Sequence, residues 1–103
     1  MIYYNKVIRD NIPSIIEKSG KKCEVHELND DDFLVGLKKK LLEEIDEFND
    51  GEDVNELADV LEVVYAIARL KGVSQEKLEE IRKAKVDSNG GFDNNLYLVR
   101  TYD

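Results

Sequence analysis

The sequence predicts a mainly α fold, a four-helix bundle with a small two-stranded β-ribbon. Apolar residues recur every three or four positions along several stretches, and polar capping residues or glycines separate these stretches, which is typical of helices. The segments near 22–28 and 96–102 instead alternate in character, which favours two paired strands. Because the chain has 103 residues and no internal repeat or linker, we expect one domain spanning 1–103.

The first predicted helix covers Asp10 to Ser19. Pro13 falls in its first turn, where the missing backbone N–H is tolerated, and Gly20 ends the helix. The next segment, Lys22 to Leu28, is the first predicted strand. We expect it to pair with Leu96 to Tyr102 near the C-terminus.

The second predicted helix runs from about Asp31 to Phe48. Asn29 is its expected N-cap, aspartates follow in the first turn, and Asn49-Asp50-Gly51 is expected to break it. Its apolar residues form one stripe at helical spacing: Leu34, Leu37, Leu41, Ile45 and Phe48. The spacing predicts that one face of this helix is buried.

The third predicted helix extends from Asp53 to Gly72 and the fourth from a cap at Ser74 to about Val86. Between Val60 and Leu70 the third helix is apolar nearly all round, which is the pattern of a central helix touched on several sides. Asn89-Gly90-Gly91 is expected to turn the chain into the final strand.

Acidic residues recur three positions apart at the end of the second helix and the start of the third. The second helix carries Glu43-Glu44-x-x-Glu47, and the third carries Glu56-x-x-Asp59. Residues three apart share a helix face, and on a helical wheel Glu43 points away from the core while the other acids border or continue the apolar stripes. Helices joined by a short connection run antiparallel. We therefore expect the pair Glu44 and Glu47 and the pair Glu56 and Asp59 to converge in one cleft.

Such a convergence of ionised carboxylates would require a cation. Four negative groups at contact distance repel one another, and hard oxygen ligands prefer Mg²⁺, with Mn²⁺ as a substitute. Mg²⁺ is usually completed by water and substrate phosphates, so the pattern favours a di- or triphosphate substrate attacked by an activated water. The alternative is a solvated acidic face, with Asp53 and Glu56 as a capping box and Lys39 and Lys40 as ion-pair partners.

With these residues in view, the chain resembles the MazG-like, all-α nucleoside triphosphate pyrophosphohydrolases, a superfamily that includes phosphoribosyl-ATP pyrophosphohydrolase. The family signature is two adjacent glutamates with a third three residues on, followed by Glu-x-x-Asp on the next helix. The residues that meet it are Glu43, Glu44, Glu47, Glu56 and Asp59. The opening segment Tyr4 to Pro13 and the closing Gly90-Gly91-Phe92 resemble a small single-domain branch of that superfamily.

The resemblance implies that a Mg²⁺ cluster hydrolyses a nucleoside triphosphate to the monophosphate and pyrophosphate. The implied metal ligands are Glu44, Glu47, Glu56 and Asp59, with Glu43 in support. Glu47 or Glu56 is the expected acceptor of the proton of the attacking water. Two alternatives stay open: hydrolysis of phosphoribosyl-ATP in histidine synthesis, and a non-catalytic helical interaction module whose acids only keep it in solution.

Four basic residues are candidate phosphate contacts. Lys6 and Arg9 lie before the first helix, whereas Arg82 and Lys85 fall on the same side of the fourth helix as its apolar residues. An arginine can bind phosphate through a planar fork and a lysine through a point charge, but both could equally pair with the acids. Three further side chains are assigned no functional role: His26, Cys23 and Tyr65.

Composition excludes several classes of protein and suggests a partner. A net charge of −8 opposes nucleic-acid binding, and no apolar run approaches the roughly 20 residues of a membrane span. The first residues lack the pattern of a secretory signal, so we expect a cytoplasmic protein. The apolar surface of the third helix is more than one short chain can cover, which favours a homodimer or homotetramer with its sites near the interface.

Overall fold

The computed structural model describes residues 1–103 and consists of four α-helices. They are α1 (Ile12–Lys18), α2 (Asp30–Gly51), α3 (Val54–Leu70) and α4 (Gln75–Asn89). The mainly α prediction is therefore confirmed. None of the four helices combines the length and apolarity that crossing a lipid bilayer requires.

The predicted two-stranded ribbon is wrong, because neither 22–28 nor 96–102 forms a strand. Leu96 and Tyr97 are each 89% exposed, so the alternating side chains of the second segment have no core to cover. An isolated pair of strands is only marginally stable in water unless one of its faces is buried. The alternating pattern of the two segments therefore does not produce strands, because neither segment has a buried face.

Polar side chains start three of the helices, as the sequence predicts. The Asn29 side chain accepts a hydrogen bond from the Asp32 N–H at 2.8 Å at the start of α2. Asp53 and Ser74 cap α3 and α4 in the same way. Each cap satisfies one of the backbone donors that the first turn of a helix leaves free.

Helix α1 is shorter than predicted, at Ile12–Lys18, and two other helices run past their predicted ends. The segment 49–51 does not break α2, which continues to Gly51 and ends where Glu52 adopts a left-handed conformation with φ 54°. The left-handed residue is therefore Glu52, one position after Gly51, although glycine is the residue that most often adopts this conformation at a helix end. Helix α4 likewise runs three residues past Val86, to Asn89, before Gly90 ends it.

The core lies between α2 and α3, which form an antiparallel hairpin joined by Glu52 and Asp53. Helix α4 touches α3, and α1 lies within contact range of no other helix. Only two apolar residues, Leu37 on α2 and Val63 on α3, are buried. The helices therefore form an open arrangement around one hairpin, whereas the sequence predicted a closed four-helix bundle.

Much apolar surface of the hairpin stays uncovered in the single chain. Leu57 and Leu61 on α3 are 46% and 48% exposed, and Leu42 on α2 is 63% exposed. The radius of gyration is 18.1 Å, against about 13 Å for a compact domain of this length. Helix α3 is central in contacting both α2 and α4, but part of its apolar face meets only solvent.

The segment before α1 is held against α2 at one close contact. The half-buried Val7 approaches Gly36, in the middle of α2, so closely that a Cβ atom at position 36 would collide with the Val7 side chain. A glycine inside a helix costs about 1 kcal/mol relative to alanine. The close approach of Val7 explains why this position carries no side chain.

Candidate metal centre

The end of α2 and the start of α3 bring acidic side chains from both helices together. One carboxylate oxygen each from Glu44, Glu56 and Asp59 can be chosen so that all three lie within 4.8 Å of one another. This proximity arises because the hairpin places the last turns of α2 beside the first turns of α3. We call these three residues the carboxylate cluster.

Glu44 is the buried member of the cluster and has one oxygen without a partner. Its side chain is almost entirely buried, although it is charged, and Oε2 has no hydrogen-bond partner. The other oxygen, Oε1, forms an ion pair with Lys40 Nζ at 3.3 Å. A buried acceptor left unpaired costs roughly 1–3 kcal/mol, so a hard cation beside Oε2 would fit this oxygen well.

The pKa of the Glu44 carboxyl is raised above its usual value of 4.5. Burial is the main cause, and the ion pair with Lys40 only partly offsets it. The negative charges of Glu47 and Asp59 raise the pKa further. The site therefore resists ionisation of Glu44, which a divalent cation would reverse.

The pKa of Glu56 is raised as well, first by partial burial and then by the charge of Glu47. The carboxyl of Asp59 also lies close enough to contribute. Glu47 itself is exposed and stands beside Glu56 at the edge of the cluster. Two carboxyls with raised pKa values in one small site are typical of functional sites, although purely structural clusters of charges also shift pKa values.

Two basic side chains already neutralise part of the charge. Arg9 Nη2 donates to Asp59 Oδ1 at 2.6 Å, and Lys40 pairs with Glu44. Four carboxylates, those of the cluster and Glu47, thus face two cations. The difference is two negative charges when all four are ionised, which is the charge of one divalent cation.

The remaining predicted site residue on α2, Glu43, lies outside the cluster. Its Oε2 is 4.0 Å from Lys40 Nζ, and its side chain is 43% exposed. The helical-wheel prediction that Glu43 points away from the core agrees with this position. Glu43 can influence the cluster through Lys40, which it shares with Glu44.

The basic residues predicted on α4 do not face a protein interior. Arg82 bonds to Glu79 on its own helix, at 2.6 Å and 2.9 Å, and Lys85 is exposed. The side of α4 that they share with its apolar residues is largely exposed, because α4 packs only along a small part of α3 and even Ile81 is 38% exposed. Lys6, before α1, lies 5.8 Å from the centre of the Tyr4 ring.

A surface depression of about 670 Å³ lies where α3 meets the start of α4. Its lining includes Tyr65 from α3 and Glu79 and Lys83 from α4, and none of the cluster carboxylates is part of it. This depression is therefore separate from the candidate metal centre.

The sequence did not predict the roles of two residues near the cluster, Lys40 and Gly36. The sequence suggests Lys40 as a partner for solvated acids, but the structure pairs it with the buried Glu44, four residues further along α2. Gly36, which admits Val7, could have been noticed as a glycine in the middle of a strong helical pattern. Both act through contacts that helical spacing alone does not reveal.

Comparisons of the chain with protein-family models, curated proteins and solved structures found no match. The resemblance to the MazG-like pyrophosphohydrolases accordingly stays a prediction. Any function has to be argued from the carboxylate cluster and its surroundings.

Proposed function

We propose that the chain is a Mg²⁺-dependent nucleotide pyrophosphohydrolase that cleaves a nucleoside triphosphate to the monophosphate and pyrophosphate. The observation that carries this proposal is the buried, unpartnered Oε2 of Glu44 in a cluster with Glu56 and Asp59. Solvated acids on a helix surface would not leave a buried oxygen without a partner. A divalent cation is the partner that suits three hard oxygen ligands.

The residues that would hold Mg²⁺, or Mn²⁺ in its place, are Glu44, Glu56 and Asp59, with Glu47 beside them. Glu43 supports the group through Lys40. Bound there, the metal would polarise the phosphate chain and lower the pKa of an attacking water. The acids of both helices are needed, because neither helix alone supplies enough ligands.

The pair of Glu47 and Glu56 is the proposed proton acceptor for the attacking water. Glu47 stands beside Glu56 at the edge of the cluster, so the two carboxylates lie next to the proposed metal, where the attacking water would be activated. In the reaction the water oxygen bonds to the α-phosphorus, the bond to the bridging oxygen breaks, and pyrophosphate leaves. The proton of the water passes to this glutamate pair.

Arg9 is the basic residue best placed to contact the phosphates, because it already reaches the cluster through Asp59. Lys6 lies three residues earlier in the same segment and is the second proposed contact. Arg82 is engaged by Glu79, and Lys85 lies on the same exposed helix, so we leave both out of the proposed site.

We further propose that the chain acts as a homodimer or homotetramer in the cytoplasm. The argument is the exposed apolar surface of α2 and α3, including Leu42, Leu57 and Leu61, in a chain with very little buried core. A second copy carries the same uncovered surface, so pairing two copies would bury both at once. Sedimentation equilibrium should show an oligomer, and a monomer at micromolar concentration would contradict this part of the proposal.

The test of the activity is a pyrophosphate-release assay over a panel of nucleoside triphosphates, with and without Mg²⁺. Phosphoribosyl-ATP belongs in the panel because it would reveal the alternative substrate. Asp59→Asn should abolish release, whereas Glu80→Gln, an acid on α4 paired with Lys77 at 3.4 Å, should leave it unchanged. Folded protein that cleaves no nucleotide and shows no thermal shift with Mg²⁺ would favour the non-catalytic interaction module.

A further inference from the structure

We propose that Arg9 is a built-in substitute for the metal ion: it neutralises Asp59 in the metal-free protein, leaves it when a divalent cation binds, and then contacts the substrate phosphates. This inference rests on the proposed function, because it requires the carboxylate cluster to bind a metal. It adds that metal binding and phosphate recognition are linked through one side chain that cannot serve both partners at once.

The first support is the unusual span of the contact between Arg9 and Asp59. The two residues are 50 positions apart and bond at 2.6 Å. Every other ion pair joins residues no more than four positions apart. The segment before α1 thus makes the only long-range ion pair in the chain, and makes it at the candidate metal centre.

The second support is the way that the chain positions this arginine. Val7, two residues before Arg9, packs at Gly36, where the helix has no side chain. A larger residue at position 36 would push the segment away from α2. The glycine therefore lets the segment approach the hairpin, so that the guanidinium can reach Asp59 on α3.

The third support is electrostatic. The side chains of Arg9 and Asp59 are 54% and 38% exposed, so the contact is open to solvent and can exchange readily. A divalent cation at Asp59 would stand within about 5 Å of the guanidinium, and at that distance the repulsion through water corresponds to about a fivefold loss of metal affinity after salt screening. Metal binding should therefore favour release of the arginine.

The released guanidinium would remain close to the cluster, since Val7 holds the segment in place. Its planar set of donors matches the oxygens of a phosphate group, with which it can form two parallel hydrogen bonds. The substrate brings negative charge that the metal only partly neutralises. Arg9 would then exchange one anionic partner, Asp59, for another.

The experiment measures Mn²⁺ affinity by electron paramagnetic resonance in Arg9→Ala, Arg9→Lys and the unmodified protein, at one pH and ionic strength. Arg9→Ala should bind Mn²⁺ about fivefold more tightly, and the advantage should shrink in high salt. Arg9→Lys keeps the charge and should remain close to the unmodified protein. Lys77→Ala is the matched control, because it removes one positive charge from an exposed ion pair on α4.

The second readout is nucleotide hydrolysis, in which the same variant should move in the opposite direction. Arg9→Ala should lower kcat/KM at saturating Mg²⁺ by about tenfold or more, the size of a lost charge-assisted hydrogen bond. A purely structural role for Arg9 predicts weaker metal binding together with weaker activity. Only the proposed exchange predicts tighter metal binding with weaker activity.

A variant that keeps Arg9 offers an independent test. Gly36→Ala should displace Val7 and with it the arginine, so it should also tighten Mn²⁺ binding. If neither Arg9→Ala nor Gly36→Ala tightens Mn²⁺ binding relative to Lys77→Ala, the inference is overturned while the proposed activity still stands. If the unmodified protein binds no Mn²⁺ and cleaves no nucleotide, the proposed function fails and the inference fails with it.

Discussion

The acidic residues on α4 and those at the α2–α3 hairpin differ in how fully their carboxylates are partnered. On α4, Glu79 bonds to Arg82 at 2.6 Å and Glu80 pairs with Lys77 at 3.4 Å, each three residues away on the same helix. At the hairpin, the carboxylate cluster is assembled from two helices, and Oε2 of Glu44 has no partner at all. The α4 acids are solvated, whereas Glu44 is only 6% exposed.

The pKa shifts of the two groups have opposite signs. The hydrogen bond with Arg82 lowers the pKa of Glu79. Burial, followed by neighbouring negative charges, raises the pKa of Glu56, and burial does the same for Glu44. Identical residue types can therefore form a solvated face or a candidate metal centre. What separates them is the burial of the carboxylates and the number of negative charges beside them.

The largest expected difference between the two groups is in catalysis. Glu56→Gln should lower kcat for pyrophosphate release by roughly 10²–10⁴-fold, because it removes both a metal ligand and a proposed proton acceptor. Glu80→Gln on α4 should stay within about twofold of the unmodified enzyme, because its acid is solvated and paired locally. Steady-state assays of the two variants test this prediction. Equal losses of kcat would contradict the distinction between the two groups.

The next difference concerns the stability of the helices that carry the two groups. Leu37→Ala, at a position only 4% exposed, should lower the free energy of unfolding by about 2–5 kcal/mol. Ile81→Ala on α4 should cost less than about 1 kcal/mol, since that side chain keeps more than a third of its surface in water. Urea denaturation measures both. Comparable losses would mean that α4 is packed more tightly than the open arrangement implies.

The two groups should also give opposite dependences of stability on pH. A raised pKa in the fold means that Glu44 and Glu56 contribute most below their unfolded pKa of 4.5, and that this contribution is lost as the pH rises through their folded values. The lowered pKa of Glu79 has the reverse effect, because its contribution is present above 4.5 and is lost as the pH falls through its folded value.

The variant Glu44→Gln measures the contribution of the Glu44 carboxylate to stability. Without metal at pH 7, the variant should be more stable than the unmodified protein by about 1 kcal/mol, because a neutral amide replaces a buried carboxylate that lies beside the charges of Glu47 and Asp59. It should also lose the stabilisation that Mg²⁺ provides. Thermal unfolding with a chelator and then with Mg²⁺ tests both statements, and a less stable variant in the chelator would show that the Lys40 pair outweighs burial.

The smallest expected effect is that of the α4 ion pairs on stability. Lys77→Ala should change the melting temperature by less than about 2 °C, because both partners of its pair are mostly exposed. Raising the salt concentration should make the change smaller still. A change in melting temperature as large as that of Glu44→Gln would contradict the conclusion that these exposed ion pairs contribute little to stability.

Local signals in the sequence account for most of what could be foreseen. The caps at Asn29, Asp53 and Ser74 were predictable because a capping side chain acts within three residues of its own position. The spacing of Glu56 and Asp59 likewise reports one helix face, whatever packs against it. The absence of the predicted ribbon could not be foreseen in this way, because alternation produces a strand only where a sheet edge and a buried face are available.

The sequence by itself determined the four helices, the caps that start α2, α3 and α4, and the two acidic pairs near the α2–α3 connection, because these follow from spacing along the chain. Only the tertiary structure decided that Glu44 is buried with a free oxygen, that Arg9 reaches Asp59 across 50 residues, and that Gly36 admits Val7. Burial and long-range pairing depend on which surfaces meet in space, and a one-dimensional pattern contains no distance between segments.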